Sequence, residues 1–257
     1  MITLLSITLL VLLLIIGRSR GFKTYITLYL GIFLIILYLL LMKSGLNPII
    51  LSIIICMLAT LSTLFIINGV NIKTKTSFVS IMIVLLFIFT LIFIIVKRGN
   101  IQGFSMESLE AIGGYSYDIG TNMIDVMIGM YLICIIGTII DTSISISSAM
   151  NEVLENNQHL NSKELFKSGM NVGRDIMSTT INTLYFAIIA NFIGFFLWHR
   201  GATFEYVLNY KAFDQEVIQL LISFIGSIMI IPITAYISSI TLKRKKIFNF
   251  KEKKQDR

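Results

Sequence analysis

One carboxylate in this chain sits where a carboxylate is costly. In the run "IIGTIIDTSISISSAM", residues 135–150, Asp141 lies among apolar residues and a ladder of serines follows it. Taking an ionised carboxylate out of water costs on the order of several kcal/mol unless it is paired, protonated or wetted. Along an α-helix, offsets of 4, 7, 11 and 14 residues return to nearly the same face, and from Asp141 they give Ser145, Ser148, Glu152 and Glu155. A second polar stripe runs from Asn171 through Arg174, Asp175, Ser178 and Asn182 to Tyr185. Antiparallel helices joined on the cytoplasmic side bring the two stripes to similar depths, with Arg174 long enough to reach inward. Such a pair supports proton uptake and release on Asp141, with Arg174 modulating its charge and the hydroxyls and amides holding relay water. The same residues also serve a structural ion pair or hydrogen-bonded helix packing.

The elements that must position these groups are membrane helices. Of 257 residues, 56% are hydrophobic and only 14% charged, against about 25% charged in an ordinary soluble domain. A helix crossing the hydrocarbon layer needs about 20 mostly apolar residues. Seven segments are predicted, at approximately 2–16, 24–42, 48–70, 78–96, 123–148, 179–198 and 217–240. The fold expected is therefore all-α: one polytopic transmembrane bundle over residues 1–240 and a basic tail over 241–257. The first segment is short enough for a signal peptide, but no cation precedes it and no small-x-small cleavage site follows, so it is read as a membrane helix. Sixteen of the 21 lysines and arginines fall in the tail and in the connections after segments one, three and five. That alternation predicts an outside N-terminus and a cytoplasmic C-terminus.

The net charge of +7 is local, because the tail holds eight cations and two acids. It fits a topology signal or a lipid headgroup contact, and no nucleic-acid partner is expected. Cys56 and Cys134 form no metal or redox spacing and are read as small core hydrophobes. His159 and His199 fall in connections, the first in a loop leading to a short cytoplasmic helix capped near Ser162. No catalytic residue, metal or cofactor is expected: a serine protease route lacks a nearby base, and Asp125 is distant in depth from Asp141 and nearly opposite it on the helix. Met106, Leu109 and Ile112 recur at helical spacing and predict an interfacial helix. Gly169 and Gly173 predict a close helix crossing or a bend, and Pro232 a kink in the last segment.

The run "IGTIIDTSISISSAMNEV", with "LFKSGMNVGRDIMSTTINTL" after it, resembles the signature of the YibE/F-like family of bacterial integral membrane proteins. The similarity extends upstream to "NPIILSIIICMLATLSTLFIINGV" and downstream to "LISFIGSIMIIPITAYI", and the chain looks like the shorter member type. Ser178 stands where the family often has glycine. The resemblance implies a multi-pass protein of the bacterial plasma membrane, partnered by lipid and by a longer member of the family or a second copy. It carries no firmly assigned activity. More distantly, the order Asp141, Glu152, Ser168, Arg174, Thr183 resembles the SecF half of the SecD/SecF export motor and related resistance-nodulation-division exporters. The function expected is a permease or exporter component, proton-coupled through Asp141 and Arg174; the alternative is a non-transporting subunit that stabilises a longer partner.

Overall fold

Most long helices here begin at an asparagine. Asn47 accepts the Ile49 N–H at 2.9 Å, Asn71 that of Thr74 at 3.0 Å, Asn122 that of Ile124 at 3.0 Å and Asn161 that of Glu164 at 2.9 Å. Each bond satisfies an amide that the first helical turn leaves without an acceptor and contributes about 1 kcal/mol. At Asn161 the Glu164 carboxylate accepts the asparagine's own N–H at 2.8 Å, which closes a capping box.

The computed structural model describes residues 1–102, 122–157, 159–198, 200–201 and 203–255. Among these are seven α-helices and no strand: α1 (Ile2–Lys43), α2 (Pro48–Leu61), α3 (Ile72–Gly99), α4 (Met123–Asn156), α5 (Ser162–Trp198), α6 (Phe204–Leu208) and α7 (Lys211–Gln255). A π-helical turn, Ser62–Ile67, continues α2. The interfacial helix expected around Met106 and the residue His199 lie outside the described residues.

Among the described residues five helical spans are long and apolar enough to cross a membrane: α1, Pro48–Ile67, α3, α4 and Phe213–Lys243. The first holds two of the predicted segments. Arg18 adopts φ 47° and ψ −126°, and Ser6 Oγ lies 2.7 Å from the hydroxyl of Tyr25. A straight helix would separate those residues by about 28 Å, so the chain doubles back at Arg18. Gly21 permits the close approach, since a Cβ there would stand 1.8 Å from the carbonyl oxygen of Leu13. Residues 17 and 19–23, expected as a connection, are therefore helical on both sides of a sharp reversal. The connection after the fifth predicted segment is also more helical than expected. The helix starting at Ser162 runs unbroken into the sixth apolar segment, and the tail is entered as a continuation of α7.

α4 is the centre of the bundle, packing on α2, α3, α5 and α7, while α1 rests on α2 and the π turn. Ile128, Leu132, Ile135 and Ile139 recur at helical spacing on α4 and are fully buried. The outside is greasy: Leu86 is 73% exposed and Phe186 66%. Inside are hydroxyls, with Ser77, Ser80, Ser143 and Ser147 fully buried. Large apolar side chains outside and small polar ones between helices are what lipid solvation selects, because hydrocarbon gives an apolar surface no reason to hide. The chain is an all-α integral membrane protein.

Candidate functional site

The serine ladder after Asp141 divides between two faces of α4. Ser143 and Ser147, four residues apart, turn into the bundle. Ser147 Oγ lies 2.8 Å from Thr76 Oγ1 and donates to the Lys73 carbonyl at 3.1 Å. Ser143 lies 3.0 Å from the Thr234 hydroxyl and accepts on its carbonyl from Ser77 at 3.2 Å. These bonds clamp α3 and α7 to α4 with every participating hydroxyl satisfied, so this face holds helices together. The alternation seen in the sequence contains this information, but only knowledge of which side of α4 meets α3 separates clamp from site.

Asp141 and Ser145 turn the other way. Together with Thr138 and Thr142 they form one wall of a lateral groove of about 290 Å³, whose other wall on α5 is Ile176, Thr179, Thr180, Thr183 and Leu184. Thr179 donates its proton to the Ile176 carbonyl at 2.8 Å and Thr183 to the Thr179 carbonyl at 2.9 Å. Their remaining lone pairs are left to accept. At about 30 Å³ per molecule the groove has room for several waters. No cation is among its lining residues, and Asp141 forms no ion pair or hydrogen bond with another described residue.

The two predicted stripes meet this groove differently. On α4, Asp141, Ser145, Ser148, Glu152 and Glu155 do share one surface-facing side, and Asn151 donates to Glu155 at 2.6 Å near its end. On α5, Asn171, Arg174, Asp175, Ser178, Asn182 and Tyr185 are all exposed and none lines the groove. The groove wall is the neighbouring face, one residue and about 100° further round. Arg174 precedes that wall by two residues and makes no ion pair with Asp141. What turns α5 is its glycine pair. A Cβ at Gly169 would lie 2.5 Å from Met150 Sδ, and one at Gly173 only 2.2 Å from Ile231 Cγ2. The absence of side chains there lets α5 press directly on α4 and α7, which realises the close crossing expected of the G-x-x-x-G spacing.

The remaining sequence candidates lie apart from the groove. Asp125 is half-buried in the first turn of α4, where the helix dipole favours a carboxylate, and its Oδ1 has no partner among the described residues. Cys56 is fully buried as a core hydrophobe, whereas Cys134, expected in the core, is exposed and accepts from Gln219 Nε2 at 2.9 Å. The cause is its position two residues off the buried Leu132 line. Among the described residues no group of three or more histidine, cysteine or acidic side chains is placed to hold a metal. A family model described as YibE/F-like protein matches residues 5–244 of the chain. No curated protein and no solved structure matches it.

Proposed function

The chain belongs to the YibE/F-like family, and from that premise we propose that it is a multi-pass permease or exporter component of the bacterial plasma membrane, coupled to protons through Asp141. One observation carries this reading: a lone carboxylate faces a hydroxyl-lined groove between α4 and α5, with no cation among the described residues that line it. Packing alone does not call for an ionisable group at that depth, and intramembrane carboxylates mark ion and proton paths. Asp141 is ionised while the groove is wet and neutral once protonated, and a change in its charge biases α5 between an open and a closed approach to α4. That is the minimum a coupled carrier requires. Thr138, Thr142, Ser145, Thr179 and Thr183 hold the relay water. Arg174, two residues before the α5 wall, modulates the charge of Asp141 through its positive field rather than through an ion pair. The orientation is N-terminus outside and C-terminus cytoplasmic, with the basic tail against anionic headgroups. No catalytic step is assigned: Asp125 and Asp141 stand about 24 Å apart along α4, too far to share a reaction.

The test is proton flux in proteoliposomes under an imposed pH gradient. Asp141→Asn is expected to reduce flux to the level of empty vesicles, and Arg174→Ala to slow it without abolishing it. Wild-type flux in Asp141→Asn would remove the relay. A second reading, a non-transporting subunit that stabilises a longer relative, draws on the exposed polar face of α5. Under it Asp141→Asn alters recovery of a stoichiometric longer partner from detergent, and no gradient matters.

A further inference from the structure

The face of α5 directed away from the bundle is built to meet another helix, and we propose that the helix is α5 of a second copy of this chain, lying parallel to the first about a two-fold axis along the membrane normal. Gly169 and Gly173 define the inward side of α5. On the opposite side Asn171, Asp175, Ser178, Asn182, Tyr185 and Ile189 follow one another at spacings of 4, 3, 4, 3 and 4 and all six are exposed, with Tyr185 and Ile189 at the far end also bordering a pocket against Phe213, Val217 and Leu220 of α7. This is the 3.5-residue repeat of a left-handed two-helix seam, with Asp175, Asn182 and Ile189 in one set of layers and Asn171, Ser178 and Tyr185 in the other.

The chemistry of the seam selects a second copy over lipid or an unlike helix. Asn182, inside the sixth predicted segment, forms no hydrogen bond with another described residue, and acyl chains offer it none. An amide is both donor and acceptor, so across a two-fold axis it pairs with its own image; a single asparagine in such a layer fixes register and orientation in parallel pairs. Charge is self-complementary as well. In parallel knobs-into-holes packing, the residue at the Asp175 position inserts beside the residue that precedes its counterpart. That residue is Arg174 of the second copy, so the dimer forms two reciprocal Asp175–Arg174 pairs. Within one chain neither side chain has an ion-pair partner among the described residues. Two copies inserted the same way in a bilayer are necessarily parallel, as the pairing requires. Thr179 and Thr183 flank the seam on the groove side, so the second copy also shields the mouth of the groove from lipid.

The experiment is cysteine cross-linking in native vesicles, in a background carrying Cys56→Ala and Cys134→Ala. Ser178→Cys and Asn182→Cys are expected to give a disulfide-linked dimer on oxidation. Leu86→Cys, on the lateral face of α3 and 73% exposed, is expected to give none. Light scattering of the wild-type protein in detergent should report twice the 29.0 kDa chain mass. Arg174→Asp should weaken self-association at least tenfold, and Arg174→Asp combined with Asp175→Arg should restore it, a rescue that only reciprocal pairing predicts. A monomeric mass, cross-linking of Leu86→Cys equal to that of Asn182→Cys, or assembly only with a longer family member would overturn the proposal. Asp141→Asn is expected to dimerise as the wild type does, so the seam and the proton reading fail separately.

Discussion

At the scale of single residues, hydroxyls in this protein do two jobs that composition does not distinguish. Ser147 bonds Thr76 and the Lys73 carbonyl in the buried interior, whereas Ser145 faces the groove. Their replacements should diverge. Ser147→Ala removes the bonds that tie α4 to Thr76 and the Lys73 carbonyl of α3 and is expected to lower stability by about 1 kcal/mol with flux unchanged, read as the loss of monodisperse protein on heating in detergent. Ser145→Ala is expected to leave the melting profile intact and slow proton movement. A result with the two effects exchanged would mean that the clamp and the groove have been assigned to the wrong faces. Asp141 was legible in the sequence because an ionisable side chain in an apolar run needs an explanation whatever surrounds it. Ser143 and Ser147 were not, because a serine costs little on either side of a membrane helix.

At the scale of elements, α5 shows what periodicity reveals and what it conceals. The polar stripe from Asn171 to Asn182 is real as a helical face, and the natural expectation turns such a stripe toward the bundle. The opposite face goes in, because two glycines four residues apart let the backbone approach Met150 and Ile231 more closely than any side chain would allow. Close packing of small residues is the stronger driver in lipid, where apolar surface gains nothing by leaving the hydrocarbon. Gly173→Leu is accordingly expected to force α5 off α7 and cost about 1–3 kcal/mol or more, seen as reduced recovery of folded protein at unchanged synthesis. Normal yield and melting in that variant would show that the crossing is looser than the 2.2 Å approach implies. The apolar segments that the five long spans contain were readable from length and hydropathy. The break at residues 17–23 was readable as well, from its glycines and cations; that helix continues to both sides of a sharp reversal at Arg18 was not, because only the structure shows the backbone there and the pairing of Ser6 with Tyr25.

At the scale of the whole molecule, the bundle is organised from α4 outward, with α3 and α7 clamped on one side and α5 leaning on its glycines on the other. α1 is peripheral, joined through α2 and the π turn. The hydroxyl bonds thus hold α3 and α7 to α4, while α5 is held by close backbone approach to α4 and α7.

The π turn at Ser62–Ile67 is expected to make the chain tolerant of a length change there. Such a turn amounts to one residue more than an α-helix would use over the same stretch. Anywhere along α4, loss of one codon would rotate everything beyond it by about 100° and turn the groove away from α5. Within Ser62–Ile67, loss of one residue instead returns the backbone to ordinary α-helix and leaves Asn71 to cap α3. Single-codon deletions scanned across the gene are therefore expected to be accepted in that short window and rejected throughout residues 123–156, scored by the amount of folded protein recovered from the membrane.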